Sequence, residues 1–229
     1  MKIGVIVAMA EEMGLLEESL LETQTTEIAG IKFISGHYHN HELVMAQSGI
    51  GKVQAALVTT LLCDQFTPDL IINTGSAGGI GSGLRIGDLV VARKVAYHDV
   101  DVTASGYKPG QLPQQPRYFD SDLQVVKQIM HASQAIKQPA HTGLIVSGDQ
   151  FIADRQEIAA ILVNFPEALA AEMEGAAVGQ VASQFQIPFV VIRAMSDVGD
   201  ENAAVSFDQF VVEAGRRSVQ MLLNFMDQN

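Results

Sequence analysis

A short apolar run at residues 187–192 ends abruptly in a cluster of polar residues, and this junction constrains the fold strongly. The run predicts a buried strand of a parallel sheet. In open α/β sheets, ligands bind beyond the carboxyl ends of the strands. The cluster therefore suits a site for a polar, partly anionic or hydroxylated molecule, unless it is only a solvated acidic loop. Its members are Arg193, Ser196, Asp197, Asp200 and Glu201.

Other strand-like runs also end beside residues that could bind a ligand. Each such residue has an ordinary alternative: an acid can partner a helix dipole, glycines can serve a tight turn, and apolar residues can pack at a helix start. If the sheet is mainly parallel, however, these residues gather at one edge and form a small-molecule site with several carboxylates. The runs are residues 2–8 before Glu12, 70–73 before the glycines around Ser76, 141–147 before Phe151 and Ile152, and 168–173, which ends at Met173 before Glu174.

The composition and the order of the elements predict one α/β domain over residues 1–229. Apolar residues make up 48% of the chain and aromatic residues only 6%, which is typical of a well-packed α/β protein. A hairpin is predicted at residues 31–47, and a long amphipathic helix at residues 205–226. We find no internal repeat, low-complexity tract or linker that would divide the chain.

Charge and hydropathy exclude several classes of partner. The formal net charge of −12 argues against binding to a nucleic-acid backbone, which needs a basic face. No apolar stretch approaches the roughly 20 residues of a membrane span, and the short apolar run at the N-terminus does not fit a signal peptide. The single cysteine, Cys63, fits a reducing compartment. We therefore expect a cytoplasmic protein that binds neither nucleic acid nor membrane.

The glycine patterns do not predict a nucleotide-phosphate site. Gly49 and Gly51 match half of a dinucleotide fingerprint, but Gln54 occupies the third glycine position. A phosphate loop fails as well, because Val53 stands where a Ser or Thr should follow the lysine. The missing dinucleotide fingerprint argues against a dehydrogenase.

Six ordered motifs resemble the superfamily of purine nucleoside phosphorylases and uridine phosphorylases. Within it, the chain is most similar to the methylthioadenosine and adenosylhomocysteine nucleosidases, over essentially its whole length. The resemblance implies a three-layer α/β/α fold with a central mixed, mainly parallel twisted sheet. It also implies hydrolysis of the N-glycosidic bond of a 5'-thio-substituted adenine nucleoside. The motifs are GVIVAMAEEM, SGIGKVQAA, NTGSAGG, SGDQF, AAEMEGAA and RAMSD.

The resemblance also implies roles for individual residues. Asp197 would donate a proton to the leaving adenine, and it must then be protonated at neutral pH, which burial favours. Glu12 would be the general base for the attacking water, held with the help of Arg193. Glu174 would accept hydrogen bonds from the ribose hydroxyls and stabilise positive charge on the sugar. The implied substrate-binding residues are Ser76, Ala77, Gly78, Phe151, Ile152, Met173, Ser196 and Phe207.

No metal or cofactor is implied. The six histidines show no helix-spaced pair with an acid between them, although a chance metal site at the hairpin turn, where His37, His39 and His41 lie, stays open. The implied partners are a small nucleoside and a second copy of the chain. In the resulting homodimer, a loop would cross into the neighbouring site and complete the pocket for the 5' substituent. The implied loop residues are Val102, Ser105, Tyr107 and Pro113.

Ser105 departs from the family pattern, in which an aromatic residue is common at this position. Serine offers little apolar surface, so the preference between a short methylthio and a long homocysteinyl tail stays open. Tyr107, Val102 or Pro113 could compensate.

The charges near the site favour hydrolysis over phosphorolysis. A phosphorylase must neutralise a phosphate dianion, usually with two or more arginines. Along the sequence, no arginine lies near Glu12, the glycine pair is followed only by Lys52, and no arginine follows Ser76 before Arg85. The alternatives are a phosphate-dependent phosphorylase of the same fold and a non-catalytic module that binds nucleosides or amino acids.

Overall fold

The computed structural model describes residues 1–198 and 203–228, so Asp200 and Glu201 lie outside the described residues. The helices are α1 Ala10–Glu17, α2 Lys52–Phe66, α3 Leu123–Ala135, α4 Arg155–Asn164, α5 Gly175–Gln184 and α6 Ala203–Asp227. The strands are β1 Lys2–Val7, β2 Leu21–Ile28, β3 Ile31–Tyr38, β4 His41–Gln47, β5 Leu70–Gly79, β6 Leu89–Tyr97, β7 Phe119–Asp120, β8 Ala140–Ser147, β9 Ala168–Glu172 and β10 Phe189–Asp197.

The strands form one mixed sheet in the order β10-β6-β8-β9-β5-β1-β4-β3-β2, with β7 paired to β6. Strand β5 also pairs with β10, so one half of the sheet closes on itself. Parallel pairing joins β1 to β4 and β5, β5 to β10, and β8 to β6 and β9. The carboxyl ends of β1, β5 and β10 therefore point the same way and meet at one edge.

Helices cover both faces of the sheet. Alternate residues of each strand point to opposite faces, so neighbours such as Val5 and Ile6 contribute to different cores. One core packs α1, α3 and α6 against the sheet, through side chains that include Leu16, Ile129 and Leu222. The other packs α2 and α5 against the opposite face. The expected three-layer α/β/α fold is confirmed.

Two strands extend further than the sequence predicted. The sequence predicts a strand that ends at residue 73, before the glycines around Ser76, but β5 continues through these glycines to Gly79 and is paired with β10 along most of its length. Similarly, β10 does not stop at Ile192 but runs on to Asp197. Arg193, Ser196 and Asp197 therefore lie on the sheet itself, not on a loop after it.

Among the described residues, no helix is both long and apolar enough to cross a membrane.

Candidate active site

A cavity of about 360 Å³ opens at the edge where the strands end. The register of the parallel pair β5–β10 sets Arg193 beside Gly75, and Asp197 beside Gly78. The helix α1 follows β1 directly and brings in Glu12. Every catalytic or substrate-binding residue implied by the resemblance lines this one cavity: Glu12, Ser76, Ala77, Gly78, Phe151, Ile152, Met173, Glu174, Arg193, Ser196, Asp197 and Phe207.

The expected partner-subunit loop lies apart from this cavity. Among the described residues, none of its members lines the cavity of its own chain. Ser105 and Pro113 are exposed, and Val102 and Tyr107 are half-buried. The loop is thus placed on the surface, where a second chain could reach it.

Arg193 is the fully buried cation of the cavity, with 1% of its surface exposed. Its Nε donates to Glu172 Oε2 at 3.1 Å, and its Nη2 donates to Asn73 Oδ1 at 2.7 Å and to the same Glu172 oxygen. Nη2 also lies 3.5 Å from Glu174 Oε2. Burial acts to lower the pKa of Arg193. The nearby carboxylates, above all Glu172, outweigh this effect of burial, so the pKa of Arg193 is raised.

Glu172, Asn73 and Ser147 are polar residues whose contacts the sequence analysis missed. Both Glu172 oxygens are occupied, because they also accept the backbone N–H groups of Glu174 and Gly175 and the hydroxyl of Ser147. Each of these three residues is a polar residue in an otherwise apolar strand. Because buried polar groups need hydrogen-bond partners, this pattern could have indicated their contacts.

Glu12 is enclosed at the base of the cavity, with 1% of its surface exposed. The backbone N–H of Met9 donates to its Oε2 at 3.2 Å. Gly215 of α6 packs so closely that a Cβ there would lie 2.9 Å from Glu12 Cγ. Burial raises the pKa of Glu12, although Arg193 and backbone N–H groups act in the opposite direction. A carboxylate in this setting is a stronger base than an exposed one.

Glu174 is the N-cap residue of α5 and lines the same cavity as Glu12. Its Oε1 accepts the backbone N–H of Gly51 at 2.9 Å. Burial, followed by the negative charge of Glu172, raises the pKa of Glu174 to about 7. Its charge state therefore changes near neutral pH.

Asp197 lies at the end of β10, with 1% of its surface exposed. Its Oδ2 accepts the hydroxyl of Ser196 at 3.0 Å, and the same hydroxyl lies 3.3 Å from the carbonyl of Ala77. A Cβ added at Gly78 would lie 3.0 Å from Asp197 Oδ1, so only glycine leaves full room for the carboxyl.

The remaining wall is apolar. The rings of Phe151 and Phe207 meet edge to face, with centroids 5.4 Å apart and planes at 76°. Ile152 is buried, whereas Phe151 is 46% exposed and stands at the mouth. This wall can take a flat ring and a thioether. It also includes Met9 and Ile50, which the sequence analysis did not assign.

The chemistry of the cavity follows from its charges. Among the described residues that line the cavity, several carboxyl groups accompany one guanidinium, which is already paired with Glu172. This arrangement stabilises a ligand that becomes positively charged and disfavours a phosphate dianion. Among the described residues, no group of three His, Cys, Asp or Glu side chains is arranged to hold a metal ion.

Comparison with known proteins confirms the resemblance carried by the six motifs. The family model of the phosphorylase superfamily matches residues 2–227. The 5'-methylthioadenosine/S-adenosylhomocysteine nucleosidase of Tolumonas auensis is 45% identical over 231 residues, covering 100% of both chains.

Solved structures of nucleosidases are also similar to this chain. One is S-adenosylhomocysteine nucleosidase from Streptococcus pyogenes in complex with 5-methylthiotubericidin, with a TM-score of 0.97 and 45% identity over 100% of this chain and 97% of that one. Another is the methylthioadenosine/adenosylhomocysteine nucleosidase of S. pneumoniae with the transition-state inhibitor MT-ImmA, with a TM-score of 0.95 and 50% identity over 99% and 98%. The chain therefore belongs to the phosphorylase superfamily and, within it, to the 5'-methylthioadenosine/S-adenosylhomocysteine nucleosidase family.

Proposed function

We propose that the protein hydrolyses the N-glycosidic bond of 5'-methylthioadenosine and S-adenosylhomocysteine, and also of 5'-deoxyadenosine. The products are adenine and the matching 5-substituted ribose. The observation that carries this proposal is the set of buried carboxyl groups, Glu12, Glu174 and Asp197, which line one cavity with Arg193. Such a reaction serves methionine salvage and removes an inhibitory product of methyl transfer.

Bond cleavage begins at the leaving base. Asp197 donates its proton to the imidazole nitrogen of adenine as the bond between ribose C1' and the base lengthens. A buried carboxyl keeps its proton more readily than an exposed one, and Ser196 holds it in place through Oδ2. The electron pair of the breaking bond goes to adenine, which leaves as the neutral base.

The sugar becomes oxocarbenium-like and is attacked by water. Glu12 takes one proton from the water while the new bond between C1' and oxygen forms, and the other proton stays on the sugar hydroxyl. Arg193 helps to hold this water, because one side of its guanidinium is fixed by Glu172 and Asn73.

The remaining contacts position the nucleoside. Glu174, in its ionised form, accepts the ribose hydroxyls and stabilises the positive sugar. Met173 packs under the ribose, and Phe151 stacks on the adenine, whose Watson–Crick edge is read by the Ile152 backbone. Phe207 lines the slot for the 5'-thio group, while the segment Ser76, Ala77 and Gly78 supports the purine.

The charge of the cavity argues against phosphorolysis. Phosphate would approach Glu12 and Glu174, and the nearest cation, Arg193, is already neutralised by Glu172. A phosphate dianion would therefore meet net repulsion. We infer hydrolysis for this reason, and no cofactor takes part.

We propose that the active form is a homodimer of one-domain subunits in the cytoplasm. Val53 and Leu57 form an exposed apolar face on α2, with 78% and 43% of their surfaces exposed. Ile50, just before the helix, is 61% exposed and also lines the cavity. An exposed apolar face beside an active site favours a protein–protein contact. The partner's loop, with its residues at 102, 105, 107 and 113, would then complete the pocket.

The test is adenine release from 5'-methylthioadenosine with and without phosphate, by the native protein and by Asp197→Asn. Free methylthioribose formed without phosphate, and lost in the variant, supports both the hydrolysis and the acid. Asp88→Asn is a matched control, since Asp88 is buried but lies outside the cavity. Release that requires phosphate and yields methylthioribose phosphate would refute the proposal.

A further inference from the structure

The motif SGIGKVQAA forms contacts in the fold to which the proposed chemistry assigns no role. Helix α2 begins at Lys52, directly after Gly51. Two successive backbone N–H groups there bind carboxylates from different parts of the chain. Gly51 N–H donates to Glu174 Oε1 at 2.9 Å, and Lys52 N–H donates to Asp149 Oδ1 at 2.8 Å. The start of α2 thus contacts the ribose acid and the loop that carries Phe151 at the same time.

The side chain of Lys52 strengthens this junction. Its Nζ lies 2.5 Å from Asp99 Oδ2 and 3.7 Å from Asp149 Oδ2. The backbone N–H of Asp149 donates to the same Asp99 oxygen at 2.9 Å. The ammonium also lies 5.4 Å from the centre of the Tyr97 ring. Lys52, Asp99 and Asp149, which we call the latch, therefore join α2, the end of β6 and the loop at residues 148–152.

We propose that Lys52 is a positioning residue that, through the latch, holds the base-binding loop in register with the ribose-binding carboxylate. The inference rests on the proposed function, which assigns adenine to Phe151 and Ile152. Lys52 does not line the cavity, and it acts on the nucleoside only through the loop and the start of α2.

The surroundings of Asp99 make the latch depend on Lys52. Burial acts to raise the pKa of Asp99, yet the contacts with Lys52 and Asp149 outweigh it and lower that pKa. Its other oxygen, Oδ1, is buried and has no hydrogen-bond partner within the part of the chain that the structure describes. Without Lys52, a partly buried carboxylate would lose its counter-charge and keep only the backbone N–H of Asp149.

The loop has little freedom to adjust if the latch opens. Gly148 packs against His98 and Asp99 so closely that a Cβ there would lie 2.4 Å from His98 Nε2. A shift of Asp99 is therefore passed directly to the backbone that precedes Phe151. Close packing of this kind transmits displacement instead of absorbing it.

The test is Lys52→Met, which keeps the length of the stem and the backbone N–H but removes the charge. We expect KM for methylthioadenosine and Kd for free adenine each to rise about tenfold, with kcat within threefold of native, since the reacting groups stay in place. Lys52→Arg restores the charge, and we expect it to return both constants to within threefold of native.

Lys94→Met is the matched control. Lys94 also forms an ion pair, with Nζ 3.1 Å from Glu167 Oε1, and lies 4.0 Å from the centre of the Tyr118 ring. It does not contact the loop at residues 148–152, so KM and adenine affinity should stay within twofold of native. A similar loss in both lysine variants would contradict a specific role for Lys52.

Unchanged KM and adenine Kd in Lys52→Met would overturn the proposal, and so would a fall confined to kcat. If Lys52→Met does not fold, Asp149→Ala decides by the same two constants, because the Asp149 side chain is 48% exposed and its removal spares the core. Adenine binding tests the latch even without turnover. Adenine release by the native protein without phosphate tests the proposed function separately.

Discussion

Glu172 fixes one edge of the Arg193 guanidinium, with Oε2 accepting from Nε at 3.1 Å and from Nη2 as well. Both side chains are buried, with 3% and 1% of their surfaces exposed. Each charge was removed from water to reach this position, and each is compensated mainly by the other. The pair therefore orients the cation of the cavity, and its loss would leave the charge of Arg193 with only the weaker interactions with Glu174 and Glu12.

Glu172→Gln should destabilise the fold strongly. Removing one partner of a buried ion pair costs about 3–5 kcal/mol, and glutamine keeps only part of the hydrogen bonding. The measurement is the free energy of unfolding in urea, at one protomer concentration because association shifts apparent stability. Glu167→Gln is the control. The Glu167 side chain is 45% exposed, so its ion pair with Lys94 should contribute less than about 1 kcal/mol. Equal losses in the two variants would contradict this account.

Glu174→Gln should stabilise the fold at alkaline pH, at the expense of activity. The pKa of Glu174 is raised from 4.5 to about 7, so the folded state holds this proton more tightly than the unfolded chain. Its contribution to stability is therefore present below pH 4.5 and is lost as pH rises through 7. Glutamine is neutral at every pH and avoids the loss, which is on the order of 3 kcal/mol.

Urea unfolding of the native protein and of Glu174→Gln at pH 5 and pH 8 measures this effect. The variant should be more stable than the native protein at pH 8, with a much smaller difference at pH 5. Glu27→Gln, on the exposed face of β2, is the control, and its effect should stay within about 0.5 kcal/mol at both values. A gain that is equal at both pH values would show that charge on Glu174 is not its cause.

Gly78→Ala should impair catalysis without unfolding the protein. The new methyl group would lie 3.0 Å from Asp197 Oδ1 and would displace the carboxyl. A misplacement of about 1 Å can reduce turnover by two orders of magnitude, so we expect kcat/KM to fall roughly 10- to 100-fold. Gly14→Ala is the control, because nothing lies within 4 Å of a Cβ there and alanine suits the helix α1. Native activity in both variants would show that Asp197 tolerates the displacement.

The sequence predicted the cavity better than it predicted the strands around it. Periodicity located most elements, and the hairpin β3–β4 has the expected bounds. It missed β2, whose residues LETQTTEI are mostly exposed and polar and so carry no apolar pattern. It also ended β5 and β10 early, since glycines and charged residues are poor strand formers and only tertiary pairing keeps them extended.

The site contacts that the sequence missed are those between distant segments. Glu172 belongs to a quoted motif, but its pairing with Arg193 spans 21 residues and depends on how β9 and β10 are placed in the sheet. The sequence indicates only a possible phosphate contact for Lys52, because its carboxylate partner Asp99 lies 47 residues away.

Val53→Glu should break the proposed dimer and reduce activity with it. Val53 is 78% exposed on the apolar face of α2, so a carboxylate there does not disturb the monomer, but it would be desolvated in an interface. We expect a monomer in sedimentation velocity, and a higher KM for methylthioadenosine because the partner's loop no longer completes the pocket. Val163→Glu is the control, since Val163 is 81% exposed on α4, and it should leave both properties unchanged. A dimeric, fully active Val53→Glu would place the interface on another face of the subunit.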